Sequence, residues 1–124
     1  MSFVVKIQEQ PEYLSVEMYG TRIADTITQD ILGAYSLVFE KCKETGHNRV
    51  LNQLYQEGKL PIAASYNILN MPKISHWKEI KMAVVAVDYE IYLQIKFTET
   101  VAQSRGFQYR LFQNKERGLN WLLS

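Results

Sequence analysis

The chain has 124 residues, enough for one domain of ordinary size, and its 47% hydrophobic and 22% charged residues are typical of a folded globular protein. The net charge of +1 gives no electrostatic reason to expect nucleic-acid binding, and the most apolar run, residues 82–87, is far too short to span a membrane. A single cysteine excludes an internal disulfide, and no repeat or linker divides the chain, so a single domain over residues 1–124 is expected.

The first two predicted elements are strands. Apolar and polar residues alternate over Phe3–Gln8 and again over Tyr13–Tyr19, which is the period of a strand. Pro11 lies between the two runs and Gly20 follows the second, so an antiparallel hairpin is predicted. The same N-terminal segment has neither a basic stretch nor a long apolar one. It is therefore not predicted to be a signal peptide, and a cytoplasmic location is expected.

A helix, a strand and a second helix are predicted next. From Ile27 the apolar period becomes helical, and Gly46 marks the end of this helix. Its apolar face consists of Ile27, Ile31, Ala34, Val38 and Cys42. A strand follows over Arg49–Tyr55. Pro61 suits the first position of a second helix, which ends before Pro72.

The next segment, Lys73–Lys81, contains three lysines and is interpreted as a solvated loop. Lys81–Val87 is a continuous apolar run, which is typical of a strand covered on both faces. Asp88 is a suitable N-cap for a third helix, which ends near Gly106.

The C-terminal residues predict a strand over Gln108–Gln113 and a short helix over Glu116–Leu123, with Asn114 able to cap that helix. Its apolar face consists of Leu119, Leu122 and Leu123. Because so short a helix is marginal alone in water, we expect it to dock on the sheet. The full order, β-β-α-β-α-β-α-β-α, predicts an α/β fold. We expect a leading hairpin and a mixed, mostly parallel five-stranded sheet with helices packed on it.

This architecture resembles the STAS family (sulphate transporter and anti-sigma-factor antagonist), and especially its SpoIIAA-like branch of small stand-alone bacterial proteins. The similar segments are the opening hairpin, RVLNQL at residues 49–54, KMAVVAV at residues 81–87 and RLFQNKERGLNWL at residues 110–122. That branch commonly ends with a strand, a phenylalanine, a polar turn and a short helix, matched here by Phe112, Glu116, Leu119, Trp121 and Leu122. The resemblance implies one STAS/SpoIIAA-like domain over the whole chain.

The resemblance also implies a phosphorylation site that this sequence lacks. Signalling STAS domains carry a serine or threonine after the central strand, at the start of the next helix. The corresponding segment, YQEGKLP at residues 55–61, has no serine, threonine or aspartate. The nearest serine, Ser65, is a full turn inside the predicted helix, where backbone N–H groups are already bonded. We expect no phosphate transfer to this chain by anti-sigma-type serine kinases.

No segment predicts a reaction. His47 and His76 are far apart in sequence and do not have the spacing of metal ligands. Cys42 lies on the apolar face of the first helix and is interpreted as a core residue. The glycines form no phosphate-binding motif. We therefore expect no metal, no cofactor and no enzymatic activity.

Two amide side chains are unusual in their context. Asn52 and Gln53 lie within the predicted central strand, next to the apolar residues Leu51 and Leu54. A buried amide must find hydrogen-bond partners or cost roughly 1–3 kcal/mol. These residues are candidate polar groups at the carboxyl end of the strand, where open α/β sheets tend to bind ligands.

The third helix is rich in large apolar side chains. It contains Tyr89, Ile91, Tyr92, Ile95 and Phe97. With Leu93, these residues make the helix apolar around most of its circumference, which a helix with one buried face does not need. Burial in the core, contact with a partner chain and contact with a small apolar ligand all remain open as explanations.

Two functions are compatible with these patterns. The first is a non-catalytic STAS-like protein–protein interaction or regulatory domain, with an unknown protein partner and self-association as a dimer. The alternative is a protein that binds a small apolar ligand or lipid, because the SpoIIAA-like branch is similar in topology to Sec14-like (CRAL-TRIO) domains. In those domains a mobile helix covers an apolar pocket.

Overall fold

The computed structural model describes residues 3–124 as one five-stranded sheet with four α-helices and one 3-10 helix. The strands are β1 Val4–Glu9, β2 Leu14–Thr21, β3 Arg49–Glu57, β4 Lys81–Val85 and β5 Gln108–Phe112. The helices are α1 Ile27–Thr45, α2 Ile62–Leu69, the 3-10 helix Pro72–Glu79, α3 Tyr89–Ser104 and α4 Lys115–Leu122. Within these residues, no helix has the length and apolar character needed to cross a membrane.

The sheet has the strand order β1-β2-β3-β4-β5. The β1 and β2 strands pair antiparallel as the opening hairpin, and every later neighbour pairs parallel. Each parallel connection passes through a helix to the adjacent strand, and such crossovers are right-handed. The helices α1, α2 and α3 therefore lie on the same face of the sheet. The predicted mixed, mostly parallel α/β fold is confirmed.

The sheet separates two apolar cores, as the pleat of β4 illustrates. Met82 and Val84 pack toward α1, α2 and α3, whereas Ala83 and Val85 pack toward α4. All four side chains are at most 4% exposed. The continuous apolar sequence of this strand therefore arises because both of its faces are covered.

Helix α4 docks on the second face of the sheet, as expected. The Asn114 side chain accepts a hydrogen bond from the Arg117 N–H at 3.1 Å, which confirms the predicted N-cap. Leu122 is fully buried, and Gly118 lies so close to the sheet that an added Cβ would be 3.2 Å from a Val85 methyl. Leu123 is 37% exposed, so its predicted place on the buried face is wrong. It follows the last helical residue and is turned about 100° from Leu122.

Some predicted boundaries differ from the structure, and one predicted loop is wrong. Strand β3 continues to Glu57 and strand β4 already ends at Val85. The segment interpreted as a solvated loop forms the 3-10 helix, in which Ile74 is 1% exposed. Ile74 and Trp77 are three residues apart, which places both side chains on the same side of a 3-10 helix. That side faces the core, so the lysines of the segment did not indicate a free loop.

Candidate functional site

A cavity of about 100 Å³ lies between the sheet and the layer of α1, α2, α3 and the 3-10 helix. We call it the helix-side cavity, and its wall is mainly apolar. The apolar residues that define it include Ile31, Phe39, Leu54, Ile74, Trp77 and Ile95. These six side chains come from four elements, namely α1, β3, the 3-10 helix and α3, so the cavity exists only in the folded domain.

Aromatic rings form the part of the wall where the 3-10 helix meets α1. The Trp77 ring stacks on Phe39, with ring centroids 4.3 Å apart and an interplanar angle of 18°. The Tyr35 ring lies next to both, 6.4 Å from Trp77. Such ring pairs are worth about 0.5–1.5 kcal/mol beyond the area they bury. The 3-10 helix is therefore held against α1 by specific contacts.

A buried arginine forms a polar part of the same wall. Arg22 follows β2, and its backbone N–H donates to the Glu57 carbonyl at 2.8 Å. Its side chain is turned inward and the residue is only 7% exposed. The Nε atom donates to Gln56 Oε1 at 3.2 Å, and Nη1 donates to Gln94 Oε1 at 3.1 Å. Burial lowers the pKa of the Arg22 guanidinium, a shift opposed by the nearby Tyr35 and Tyr109 phenols.

The Gln94 side chain connects three parts of the site. Its Oε1 atom accepts the Arg22 bond and also accepts the Leu60 N–H at 2.7 Å. Gln94 belongs to α3, whereas Leu60 lies in the connection from β3 to α2. A single amide oxygen thus fixes both the arginine and the segment before α2 relative to α3.

Two tyrosines line the cavity near the arginine. The Asn52 side-chain N–H donates to the Tyr35 hydroxyl at 2.9 Å. Burial raises the pKa of Tyr35 to about 12. Burial, followed by interaction with Tyr35, raises the pKa of Tyr109 well above its ordinary value. Both phenols are therefore neutral near pH 7, and their hydroxyls act as polar groups without charge.

The two amides singled out in the sequence point to opposite faces of β3. Asn52 is fully buried on the cavity side, where its Nδ2 bonds Tyr35. Its Oδ1 atom is the single fully buried side-chain polar atom of residues 3–124 without a hydrogen-bond partner. Gln53 is 7% exposed on the other face and accepts from the Tyr55 hydroxyl at 3.4 Å. Asn52 does not line the cavity itself, but it donates a hydrogen bond to Tyr35, which does.

The aromatic and branched residues of α3 fall into two groups. Ile91 and Ile95 are buried, and Ile95 lines the helix-side cavity. Tyr92 is half-buried and stacks on Tyr89 at 6.2 Å. The outward residues are Tyr89, Leu93 and Phe97, with exposures of 61%, 51% and 37%. The helix therefore has one apolar face in the core and a second apolar face open to its surroundings.

The structure also places the serine nearest to the missing phosphorylation site. Ser65 is the fourth residue of α2 and is 5% exposed. Its hydroxyl lies 2.6 Å from the Thr98 hydroxyl of α3. The side chain thus points into the helical layer, away from any kinase that would approach the folded surface.

The remaining reactive side chains are not brought together. His47 Nε2 lies 3.0 Å from Glu9 Oε2, and His76 is exposed beside Trp77. Cys42 is 3% exposed, and burial raises its pKa to about 11. In the part of the chain that the structure describes, no three histidine, cysteine, aspartate or glutamate side chains form a group able to hold a metal ion.

Sequence reasoning missed the polar residues of the site. Arg22 and Gln94 are 72 positions apart, and neither belongs to a motif. One signal was available for Arg22, because it follows directly on a strand that belongs to a parallel sheet. Ligands of open α/β sheets bind at the carboxyl ends of such strands.

The protein has the SpoIIAA-like fold. Its defining features are the leading hairpin, the consecutive parallel strands, the three helices on one face of the sheet and the terminal helix on the other. The SpoIIAA-like fold expected from the sequence is thereby confirmed. The structure is similar to that of an uncharacterized protein of the DUF3478 family with a SpoIIAA-like fold from Shewanella loihica PV-4. The two share 15% sequence identity and superpose with a TM-score of 0.53 over 98% of this chain and 94% of that chain. This identity supports the common fold alone. No protein-family model and no curated protein matches the sequence.

Proposed function

We propose that this protein is a non-catalytic STAS-like domain that binds a small apolar molecule in the helix-side cavity. The observation that carries the proposal is the cavity itself, which is about 100 Å³ in volume and mainly apolar. Protein interiors are normally packed as densely as organic crystals. A ligand that fits the cavity would remove its apolar surface from water, which favours binding.

The size and lining of the cavity favour a ligand comparable to one aromatic ring. An engineered apolar cavity of about 150 Å³ in another protein stays dry and binds benzene. Here the stacked pair Trp77 and Phe39 provides aromatic surface, and Ile31, Ile74 and Ile95 provide aliphatic surface. The residues that line the cavity include no carboxylate, imidazole or thiol. The lack of these groups at the cavity supports a role in binding and not in catalysis.

Toluene is a suitable neutral probe for the first test. We expect a titration of the purified protein to give saturable NMR shifts of the methyl groups of Ile31, Ile74 and Ile95, with a dissociation constant that is roughly millimolar or tighter. Shifts confined to Leu37, an exposed residue of α1, would indicate non-specific surface contact. The absence of any saturable shift at the cavity would contradict the proposal.

A matched pair of variants on α3 locates the binding. Ile95→Phe places a ring in the cavity, so we expect it to abolish toluene binding while the protein stays folded. Leu93→Phe makes a similar change at a position that is 51% exposed, and it should leave toluene binding unchanged. Equal toluene affinity for the two variants would place the binding elsewhere.

Self-association is a second candidate function, favoured by the exposed apolar residues of α3. Leu93 is 51% exposed, Tyr89 is 61% exposed, and the adjacent α2 adds Tyr66 at 48% exposure. Helices α2 and α3 pack against each other, so their exposed side chains form neighbouring parts of the outer surface of the helical layer. We propose that a second copy of this chain covers that surface to form a homodimer.

Sedimentation equilibrium at micromolar concentration tests the dimer. We expect a dimer for the native sequence and a monomer for Leu93→Lys, which places a charge on the proposed contact. Val4→Lys is the matched control, because Val4 is 56% exposed but pairs with Tyr19 of β2 on the other face of the sheet, and it should remain dimeric. A monomer for the native sequence at these concentrations would overturn this candidate.

A further inference from the structure

The polar part of the helix-side cavity indicates the chemical class of the ligand. We propose that the ligand carries a carboxylate on its apolar body and that the Arg22 guanidinium binds this carboxylate. This inference rests on the proposed function, since it assigns the head group of the molecule that fills the cavity. It is carried by three features of Arg22: its burial without a counter-charge, its remaining donors and its fixed position.

The first feature is a buried cation without a neighbouring anion. Arg22 is 7% exposed, yet the hydrogen bonds of its side chain within the described residues go to the neutral amides of Gln56 and Gln94. The ion pairs formed within residues 3–124 involve other side chains. The residues lining the cavity include no aspartate or glutamate. Because a buried charge is normally paired, the unpaired guanidinium favours an anionic ligand.

The second feature is the set of donors that Arg22 has not used. A guanidinium has five N–H donors, and two of them serve Gln56 and Gln94 through Nε and Nη1. In the described part of the chain, Nη2 has no hydrogen-bond acceptor. Nη2 is also not fully buried. Nη2 therefore keeps donors that are not used within the protein, and Arg22 lines the cavity. The Nη1–Nη2 edge of a guanidinium has the geometry that binds a carboxylate through two parallel bonds.

The third feature is that the guanidinium is held in place before any ligand arrives. Gln56 fixes it from β3, and Gln94 fixes it from α3 while also accepting the Leu60 N–H. The backbone of Arg22 is fixed as well, because its N–H bonds the Glu57 carbonyl. A donor edge that is already oriented loses little conformational freedom on binding, which increases affinity.

Three one-ring probes separate the head group from the apolar body. Toluene reports on the cavity alone, benzamide adds a neutral group of nearly the same shape as a carboxylate, and benzoate adds the charge. Titrations at fixed low salt should show that benzoate binds at least roughly tenfold more tightly than benzamide. We expect benzylammonium, which carries the opposite charge, to bind more weakly than benzamide.

Substitutions then assign the preference to Arg22. Arg22→Met should bring the dissociation constants of benzoate and benzamide together, while Arg22→Lys should keep part of the preference for benzoate. Arg117→Met is the matched control, because Arg117 is exposed on α4 and its loss should leave the preference unchanged. If Arg22→Met does not fold, the ratio measured with the native protein and with Arg22→Lys still decides the question.

The outcomes distinguish the two proposals. Toluene binding with equal affinities for benzoate and benzamide would overturn the carboxylate inference and leave the apolar site intact. A benzoate preference that persists in Arg22→Met would also overturn it, since the charge would then be recognised elsewhere. If none of the probes binds, both the proposed function and this inference are wrong.

Discussion

Gly58 allows the backbone of Arg22 to approach the end of β3. Gly58 has φ of +88°, and a Cβ added there would lie 2.7 Å from the Arg22 carbonyl oxygen. Gly106, which follows α3, has the same φ, but an added Cβ there would meet no atom within 4 Å beyond its chain neighbours. The two glycines therefore share a backbone requirement, and only Gly58 also has a steric one.

This difference gives a prediction for two alanine variants. Gly106→Ala should lower the free energy of unfolding by roughly 1–2 kcal/mol, the cost of a left-handed conformation for a residue with a Cβ. Gly58→Ala should lower it by about 1–3 kcal/mol more, because the Cβ also displaces the Arg22 backbone. Urea unfolding of both variants measures the difference. Equal losses would show that the contact at Gly58 relaxes without cost.

Some individual residues were predictable from local sequence and others were not. Asp88 was predicted as an N-cap, and its carboxylate accepts the backbone N–H groups of Glu90 and Ile91 at 2.9 and 3.2 Å. Capping depends on residues within one turn, so the sequence contains the whole signal. The environment of Arg22 depends on Gln94, which is 72 positions away. No local pattern encodes such a contact.

At the scale of elements, two glycines within helices differ in their surroundings. Gly118 of α4 lies against the sheet, where an added Cβ would be 3.2 Å from Val85 Cγ2 and 3.4 Å from Leu51 Cδ1. Gly33 of α1 is exposed, and none of the atoms considered lies within 4 Å of its added Cβ. Alanine is favoured over glycine in a helix interior by roughly 0.8–1 kcal/mol. Only at Gly33 is that gain free of steric cost.

We therefore predict opposite effects for the two alanine variants. Gly33→Ala should raise the free energy of unfolding by about 0.5–1 kcal/mol. Gly118→Ala should lower it or leave it unchanged, because separating α4 from β4 weakens the contacts of Leu122. Thermal unfolding by circular dichroism measures both. Stabilisation by Gly118→Ala equal to that by Gly33→Ala would contradict the close packing of α4.

The third helix shows why some element orientations could not be predicted. Its sequence contains two apolar stripes, one with Ile91 and Ile95 and the other with Tyr89, Leu93 and Phe97. Periodicity identifies a helix but does not choose between two apolar faces. The structure buries the isoleucine stripe and exposes the other one. For α1, which has a single apolar face, the predicted buried residues Ala34, Val38 and Cys42 were correct.

At the scale of the whole molecule, the raised pKa values of the two buried tyrosines, Tyr35 and Tyr109, predict a loss of stability in alkali. The unfolded chain begins to release tyrosine protons near pH 10, whereas folded Tyr35 retains its proton up to about pH 12 and Tyr109 is shifted in the same direction. Stability is therefore retained below pH 10 and decreases between pH 10 and 12. Tyr35 alone would contribute about 1.4 kcal/mol per pH unit.

Urea unfolding at several pH values from 8 to 11 measures this dependence. We expect the stability of Tyr35→Phe to decrease more slowly above pH 10 than that of the native sequence, because one of the two buried phenols with raised pKa is removed. Tyr55→Phe serves as a control, since Tyr55 is 46% exposed on the other face of the sheet. The same slope for all three proteins would show that the buried phenols do not control the alkaline transition.

The architecture itself was predictable because it follows from alternation along the whole chain. Strand and helix periods succeed each other, and right-handed crossovers then leave few possible topologies. The helix-side cavity was not predictable, because its volume depends on how closely side chains from both the sheet and the helical layer pack in three dimensions. A pattern of apolar residues indicates which faces pack together and leaves the local packing density undetermined.

The placement of a single helix on the second face of the sheet affects how the protein forms during synthesis. The first three helices cover one face as each successive strand is added, so native contacts can accumulate in the order of translation. The other face, with Leu51, Ala83 and Val85, has no cover until residues 115–122 leave the ribosome. At about 5–20 residues per second, an apolar surface remains exposed for seconds after β3 and β4 have emerged. Nascent chains stalled before residue 115 should therefore be preferred substrates for chaperones that recognise exposed apolar strands.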